Sequence, residues 1–498
     1  MSDEGRNKRS SQAQGRRTPR HGDGEGRRSE QRGPTRTVQP ARRVAYDVLR
    51  AVSETDAYAN LVLPSAIAEA RLNPQDAALA TELTYGTLRR LGTYDAIIAA
   101  AADRPADSID SAVLDALRLA VHQLFATRVA SHAAVNESVN LVALASGRGA
   151  SSFANAVLRR ITRDSAEQWQ ERIEEQARSD DERLALRSAH PVWVIRALRR
   201  ALAAEGRGDE LEALLEADNA SPEVTLVALP GLAEPGEPHL PYAPTAFVSP
   251  GGDPRRSVEA SGGTIRVQDE GSQLVALALA GAMPITAGER WLDLCAGPGG
   301  KTALLAAIAR EHDVTLEANE VVPVRARLVR KALRAVPGEV VVHEQDGREL
   351  GAARIGEFDR ILVDAPCTGL GALRRRPEAR WRKTPADVAE LVPLQAELLS
   401  AALDALAPGG IVAYVTCSPH LAETTGVVRE VLRERTDVVE LDARAVIADV
   451  ASSPIDLAEE GRAGSGSAQL WPHRHGTDAM FLALLQRSAT VNTSGKER

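Results

Sequence analysis

Two cysteines stand where a thiol could do chemistry. Cys367 follows a candidate strand at 360–363, and Cys417 follows another at 411–415. Because the carboxyl ends of parallel strands share one edge of a sheet, both thiols and the nearby Asp364 carboxylate are predicted to converge there. Such a group suits methylation at carbon 5 of a pyrimidine, since a thiolate that adds to carbon 6 makes carbon 5 nucleophilic.

The third cysteine, Cys295, is interpreted differently. A lone cysteine in a core strand is usually a small buried hydrophobe, so only its backbone is expected to line a ligand. Three cysteines without a Cys-x-x-Cys pair exclude a disulfide framework and give no zinc motif. This usage is typical of a reducing compartment, and we expect a cytoplasmic protein without a metal.

A glycine-rich segment at 293–302, DLCAGPGGKT, follows a candidate strand at 291–294 and begins a helix. Glycines let the backbone approach a ligand, and a helix N-terminus offers free N–H donors. A phosphate-binding loop would need glycine where Cys295 stands, and a dinucleotide fingerprint would need glycine where Thr302 stands. The alternative without a ligand is a tight strand-to-helix turn with a purely structural role.

Acidic residues at three successive strand ends favour a cationic ligand without phosphate. Asp293 at the mouth of the first strand would repel a pyrophosphate. Glu320 could accept hydrogen bonds from ribose hydroxyls, and Asp346 could reach an adenine. The pattern favours S-adenosylmethionine as cofactor.

The elements around these residues alternate between strand and helix. This rhythm predicts a parallel, doubly wound sheet with a last strand, 479–485, at its edge. The other candidate strands are 291–294, 314–318, 340–343, 360–363 and 411–415, and helices are predicted at 301–309, 324–335 and 386–407.

Upstream of this α/β region the chain changes character. Apolar residues at helical spacing predict an all-α domain over 41–165. A solvated connecting helix at 166–185 and a small α+β subdomain complete 166–263, and the α/β domain is assigned to 264–488. The termini, 1–40 and 489–498, are predicted to be disordered, and the first is either a solubilising tail or a weak RNA tether.

Composition limits the choice of partners. The chain has 498 residues, enough for two or three domains, and a net charge of −8. Residues 1–40 hold 10 basic and 5 acidic residues, so the remainder carries −13. With this negative charge, residues 41–498 are not expected to bind polyanions indiscriminately. Nucleic-acid contacts must then come from local basic clusters or from the N-terminal tail. No run of about 18 uncharged apolar residues occurs and residues 1–40 lack the apolar core of a signal peptide, so we expect neither a membrane span nor secretion.

Three strings resemble motifs I, IV and VI of the RNA cytosine-C5 methyltransferases: DLCAGPGGKT, DAPCTGLGALRRRPEARWR and YVTCSPHLAETTG. The segment 268–272 resembles the part of that family that precedes motif I. The helical domain, with the string ANAVLR at 154–159, is similar to the NusB-type RNA-binding fold. This combination resembles the bacterial 16S ribosomal RNA enzymes of the RsmB/Sun type over about residues 41–487.

The resemblance implies a fold and residue roles. It implies a NusB-like all-α domain, a small α+β subdomain and a Rossmann-like class I methyltransferase domain. Cys417 would be the nucleophile, Cys367 would assist elimination and product release, and Asp364 would act beside them. The residues implied in binding S-adenosylmethionine are Cys295, Ala296, Gly297, Pro298, Gly299, Gly300, Lys301, Glu320, Asp346 and Asp364.

A basic run at 374–383, RRRPEARWRK, holds six Lys/Arg and one Glu. A charge run is usually a solvated face, but this one follows Cys367 directly. We therefore expect exposed side chains that serve RNA rather than folding, with arginines on phosphates and the aromatic ring near an extruded base. The predicted RNA contacts are Arg374, Arg375, Arg376, Arg380, Trp381 and Arg382.

The expected substrate is therefore small-subunit ribosomal RNA, and we expect a monomer that binds no membrane. Two alternatives stay open at this point. One is cytosine-C5 methylation of another RNA such as tRNA. The other is a non-catalytic NusB-like RNA-binding factor, which would leave both cysteines and the intact glycine loop unexplained.

Overall fold

The computed structural model describes residues 38–55, 57–458 and 466–489. The disorder predicted for 1–40 and 489–498 lies outside these ranges, except at 38–40 and 489. Within the described ranges, no helix combines the length and the apolar character that a bilayer span requires.

The described chain is helical as far as Asn219. The helices are α1 (Pro40–Thr55), α2 (Ala59–Glu69), α3 (Pro74–Arg89), α4 (Leu91–Ala102), α5 (Ser111–Ala126), α6 (Ser131–Ile161), α7 (Ala166–Glu174), α8 (Asp180–Ser188), α9 (Val192–Ala203) and α10 (Leu211–Asn219), with short 3₁₀ turns at Ala106–Ser108 and Gly208–Glu210.

Amphipathic spacing explains why these helices pack. The predicted apolar face of α1, including Val44, Val48 and Val52, is buried against α3 and α5. Helix α6 changes direction at Gly147, whose φ of +84° lies in the left-handed region that favours glycine. The all-α character predicted for this region is confirmed.

The prediction of one solvated helix over 166–185 is wrong. A capping box at Ser165 starts α7, Ser179 caps α8, and a break separates the two helices. Trp169 is fully buried in the helical core, where its indole N–H donates to the Ile161 carbonyl at 2.9 Å. The many charged residues of this segment lie on the exposed face of α7, and its opposite face, with Trp169 and Ile173, is buried.

A small antiparallel sheet follows. Its strands are β1 (Thr225–Ala228), β2 (Ala246–Val248) and β3 (Ile265–Val267), in the order β2-β1-β3, with α11 (Arg255–Ala260) before β3. This is the mixed α and β character predicted for the segment before the α/β region.

The second half of the chain alternates strands and helices. The strands are β4 (Arg290–Asp293), β5 (Thr315–Asn319), β6 (Val341–His343), β7 (Phe358–Asp364), β8 (Leu406–Thr416), β9 (Val438–Leu441), β10 (Ala468–Gln469) and β11 (Phe481–Arg487). The helices are α12 (Glu270–Gly281), α13 (Gly300–Glu311), α14 (Pro323–Leu333), α15 (Gly347–Ala353), α16 (Ala379–Arg382), α17 (Pro385–Ala405), α18 (Thr425–Leu432), α19 (Ala443–Val450) and α20 (Pro472–His475).

Within the described residues these strands form one sheet in the order β10-β11-β8-β7-β4-β5-β6, with β9 also paired to β11. The five neighbouring strands β8, β7, β4, β5 and β6 are parallel to one another, and β11 is antiparallel to β8. Successive residues of β4 point to opposite faces, so Trp291 packs with α12 and α13 while Leu292 packs with α15 and α17.

The five strands predicted to form a parallel sheet are parallel to one another, whereas the edge position expected for 479–485 is wrong. Strand β11 lies inside the sheet, between β8 and the pair β9 and β10. Five consecutive residues, 481–485, are fully buried because helices cover both faces of the strand. The predicted order of a helical region before an α/β region is confirmed, and the domain limits at 165, 263 and 488 stay predictions.

Candidate functional site

Every predicted cofactor or catalytic residue lies at one edge of the sheet. The parallel strands β6, β5, β4, β7 and β8 end at this edge, and the chain turns there into Asp346, Glu320, Cys295, Asp364 and Cys417 in that order. From β4 the chain winds first toward β6 and then returns to β7, so the strand order switches between β4 and β7. Open α/β sheets bind ligands at such a switch point.

The glycine loop is held by the end of β5. The backbone N–H of Gly297 donates to Glu320 Oε2 at 3.0 Å, and that of Val322 donates to Glu320 Oε1 at 2.9 Å. The Arg325 guanidinium donates to the Gly297 carbonyl at 2.6 Å. Glu320 therefore fixes the loop as well as lying at the predicted ribose position.

Gly299 shows why this loop needs glycine. Its φ is +104°, and a Cβ atom there would lie 2.8 Å from the Ala332 side chain and 2.9 Å from the Val329 Cα. The loop can therefore pass this close to α14 only without a side chain.

Asp293 does not face the ligand crevice as an open carboxylate. It is 1% exposed, and its Oδ2 accepts from the Thr302 hydroxyl at 2.7 Å, which ties α13 to the end of β4. Burial raises the pKa of Asp293 to about 7. Asp293, which was predicted to attract a cationic ligand, therefore holds the glycine loop in place through its hydrogen bond with Thr302.

Two residues of this site were missed in the sequence. Asn319 is buried, donates to the carbonyls of Leu294 and Gln345, and so links the first loop to the third. Gln268 is buried beside the start of α13, about 3.6 Å from a Cβ atom built on Gly300, and neither of its amide atoms has a partner among the described residues. The available signals were that Asn319 directly precedes Glu320 and that Gln268 is the first residue of the segment 268–272.

The unpartnered amide tests whether S-adenosylmethionine fits. A buried amide without a hydrogen bond is costly, so this one is matched to a polar ligand group at the helix N-terminus. Together with the glycine approach and the Glu320 carboxylate, it forms a polar cradle whose donors and acceptors would suit an amino acid and a ribose. The residues present fit the group.

A salt bridge links the glycine loop to the cysteine edge. Lys301 Nζ lies 2.9 Å from Asp364 Oδ2. Although burial disfavours the ammonium form, the Asp364 carboxylate raises the pKa of Lys301 above its usual value. Asp364 is therefore held between the predicted cofactor loop and the two thiols.

The structure places Cys367 and Cys417 side by side, with 3.4 Å between their Sγ atoms. Both are half-buried, so a substrate can reach them. The hydrogen bond from the Cys367 thiol lowers the pKa of Cys417, and the same bond raises the pKa of Cys367 well above its usual value. At this distance one sulfur can donate a hydrogen bond to the other when the other ionises.

Cys295 is unlike this pair. Burial and then the neighbouring Asp293 raise the pKa of its thiol. A protonated thiol is a poor nucleophile. The side chain therefore suits the structural role expected from the sequence.

The basic run 374–383 departs from expectation, since most of its side chains are not exposed. Arg380 is fully buried, and its guanidinium donates to the carbonyls of Ala189 and Asp218 at 3.1 Å and to Asn219 Oδ1 at 2.7 Å. Arg374 is 8% exposed and donates to the Gly476 carbonyl. The prediction of an exposed run is wrong for these residues because tertiary partners surround them.

The same run forms the junction with the helical region. The Trp381 ring lies against Gly92 of α4, where a Cβ atom would overlap it. Arg382 donates to the carbonyls of Val52 and Ala57, and Glu378 Oε1 accepts from the Ala59 backbone N–H at 3.0 Å. The segment after Cys367 therefore anchors the sheet edge that carries the two cysteines to the N-terminal helices.

Arg375 and Arg376 differ from each other. Arg375 pairs with Asp269 and, at 2.8 Å, with Asp478, so its charge is neutralised by protein. Arg376 is exposed, stacks over the Tyr58 ring at 5.4 Å, and forms no ion pair with any described acidic side chain. Of the six predicted RNA contacts, Arg376 is the one whose charge faces solvent.

Within the described ranges, no group of three or more His, Cys, Asp or Glu side chains is arranged to hold a metal ion.

Two family models match the chain. The model described as 16S rRNA methyltransferase RsmB/F matches residues 281–486, and the NusB family model matches residues 39–163. These ranges contain the cysteine edge and the N-terminal helices.

Similar proteins cover nearly the whole chain. Rv1407 of Mycobacterium tuberculosis strain H37Rv, which is named only as a methyltransferase, is 48% identical over 92% of this chain and 98% of its own length. The ribosomal RNA small subunit methyltransferase B of Pseudomonas syringae is 31% identical over 91% of this chain and 98% of its own length. The crystal structure of PH0851 has a TM-score of 0.75 over 91% of this chain and 99% of that chain, and at 22% identity it shows the fold alone.

Proposed function

This chain belongs to the RsmB/F family of 16S rRNA methyltransferases, and we propose that it methylates carbon 5 of a cytosine in small-subunit ribosomal RNA through a covalent bond to Cys417. The observation that carries the proposal is the pair of thiols 3.4 Å apart at the ends of β7 and β8. RNA binding without catalysis would leave this pair of half-buried thiols, beside an intact glycine loop, without a role.

Covalent catalysis solves a specific chemical problem. Carbon 5 of cytosine is a weak nucleophile until a thiolate adds to carbon 6 and its electron density moves toward carbon 5. Cys417 suits this step because its pKa is lowered by the hydrogen bond from Cys367. Asp364, which Lys301 orients at 2.9 Å, lies beside the thiols and would stabilise the pyrimidine N3 side as charge develops.

The second half of the reaction must release the enzyme. A base removes the proton from carbon 5, the electron pair restores the double bond to carbon 6, and the bond to Cys417 Sγ breaks. Cys367, whose thiol lies next to that sulfur, is proposed to assist this elimination. When bound, S-adenosylmethionine supplies the methyl group from its sulfonium centre.

The cofactor is proposed to occupy the cradle formed by the loop 295–301, Glu320 and Asp346. Gln268 would contact the amino acid part, because its buried amide lacks a partner among the described residues. Asp346 caps α15 and holds Arg348, so its carboxylate is fixed at the mouth of the crevice.

The cofactor assignment predicts that Glu320→Ala weakens S-adenosylmethionine binding by about 1–3 kcal/mol, because hydrogen bonds to a charged group are lost. Calorimetry of the two proteins measures this difference. Glu339→Ala is the matched control, since Glu339 is exposed before β6 and should leave the affinity unchanged. Equal affinities for wild type and Glu320→Ala would refute the assignment.

Arg376 and Arg380 are predicted to respond oppositely to the same substitution. Arg376→Gln should keep the melting temperature, lower RNA affinity and reduce the salt-dependence slope by about one phosphate contact. Arg380→Gln should instead lower the free energy of unfolding by about 3–5 kcal/mol, because buried acceptors lose their cation. Thermal melts and RNA titrations at several salt concentrations measure both effects, and a large melting loss for Arg376→Gln would exclude its assignment to RNA.

The substrate is tested by incubating the protein with labelled S-adenosylmethionine and either small-subunit ribosomal RNA or tRNA. We expect label in ribosomal RNA, at carbon 5 of cytosine. Mapping of 5-methylcytosine in ribosomal RNA from a deletion strain then identifies the nucleotide. Labelling of tRNA alone would overturn the choice of substrate while leaving the chemistry intact.

A further inference from the structure

A fully buried carboxylate lies between the loops that carry the two thiols. Glu423 is 0% exposed and lies in the turn between β8 and α18. No basic side chain among the described residues forms an ion pair with it, so polar neighbours alone satisfy its charge. Burial of a charge at this position needs an explanation, since it is costly unless several donors surround it.

The donors come from both cysteine loops. Glu423 Oε1 accepts from the Thr368 backbone N–H at 2.8 Å, and Oε2 accepts from the Thr368 hydroxyl and, at 2.6 Å, from the Ser418 hydroxyl. Thr368 follows Cys367 directly, and Ser418 follows Cys417 directly. One carboxylate therefore joins the residues next to the two thiols.

The rest of the surroundings fixes this carboxylate in turn. Gln395, which is 0% exposed on α17, donates to Glu423 Oε1 at 3.2 Å and to the Pro366 carbonyl at 2.8 Å. The Tyr414 hydroxyl of β8 donates to the Glu423 carbonyl at 2.8 Å. We call the hydrogen-bonded group of Glu423, Thr368 and Ser418 the clasp. It is attached to strand β8, helix α17 and both cysteine loops, which leaves the two loops little freedom to separate.

We propose that Glu423 is a positioning residue that holds Cys367 Sγ beside Cys417 Sγ, so that the second thiol can serve the first throughout the reaction. The inference rests on the proposed function only for its catalytic consequence. A displacement of about 1 Å at a reacting group can cost about 10²-fold in rate, so a clasp this close to both sulfurs matters even without touching substrate.

The test uses a readout that does not depend on RNA. The pH dependence of Cys417 alkylation by iodoacetamide, followed by mass spectrometry of the Cys417 peptide, reports thiolate formation in the full chain. The ionisable groups that influence the pKa of Cys417 are Cys367, Asp364, Arg376 and Lys301. Glu423→Gln leaves all four in place but removes a negative charge that by itself helps to raise the pKa of Cys367. Loss of that charge alone would lower the alkylation midpoint, so a raised midpoint would report a changed arrangement of the two thiols.

For Glu423→Gln we expect the alkylation midpoint to rise by about one pH unit, the scale of one hydrogen bond to an ionised group. We also expect kcat to fall at least about 10-fold while KM for RNA stays within about 2-fold. Glu430→Gln on α18 is the matched control, since Glu430 is exposed and should change neither quantity. Thr368→Val, which deletes one hydroxyl of the clasp, should shift both quantities in the same direction by less and guards against misfolding of the first variant.

An unchanged alkylation midpoint together with an unchanged kcat in folded Glu423→Gln would overturn the inference. A raised midpoint in a protein that does not methylate RNA would support the positioning role while refuting the proposed function. The two hypotheses therefore fail separately.

Discussion

Cys417→Ala is expected to abolish methyl transfer, with a loss of about 10⁴-fold or more, and to prevent covalent capture of RNA. Without the thiol, nothing adds to carbon 6 and carbon 5 stays unreactive. The measurement is transfer of labelled methyl to RNA, together with a denaturing gel that detects protein–RNA adducts. Folding should be preserved, since the half-buried sulfur is replaced by a smaller group.

The wild-type enzyme supplies a pH test of the same assignment. The thiolate is the reacting form, so the rate should rise with pH through the lowered pKa of Cys417 and then level off. A rate that falls across this range would contradict a thiolate nucleophile. A stable adduct with Cys417→Ala, and none with Cys367→Ala, would reverse the roles of the two cysteines.

Cys367→Ala is expected to show the opposite behaviour on the gel. Cys417 remains able to add to the base, and the methyl group should still be transferred. Elimination should be slow, so a protein–RNA adduct that survives denaturation should accumulate and turnover should stop near a single cycle. Loss of the hydrogen bond between the sulfurs should also raise the pKa of Cys417, so adduct formation should need a higher pH than wild-type turnover.

Cys367→Ser separates these two effects. A hydroxyl can still donate a hydrogen bond to the neighbouring thiolate, so the pH dependence of adduct formation should move back toward the wild type. If adducts are absent from Cys367→Ala at every pH while methylation continues at the wild-type rate, Cys367 has no part in elimination.

The basic run shows how far a local pattern can mislead. Six Lys/Arg in ten residues predict a solvated or RNA-binding surface, and Arg376 keeps that interpretation. Arg380 does not, because its acceptors on Ala189, Asp218 and Asn219 are about 160 to 190 residues away in sequence. Only the docking of the N-terminal helices onto this segment decides which guanidinium groups face water.

The sequence by itself determined the chemistry-bearing edge. Strand and helix periods are local properties, and parallel strands must end at one edge, so Cys367, Cys417, Asp364 and Glu320 could be placed together without coordinates. The glycine loop was equally local, since its spacing alone excluded phosphate-binding and dinucleotide patterns.

The tertiary structure decided what depends on distant neighbours. The inner position of β11 follows from helices that cover both of its faces, and a short apolar run cannot reveal which strands lie beside it. The clasp at Glu423 joins Thr368 to Ser418 across 50 residues of sequence, and the opposite pKa shifts of the two thiols require a 3.4 Å contact. Hydrogen bonds and burial act over a few ångströms in space, so contacts between residues far apart in sequence exist only once the chain has folded.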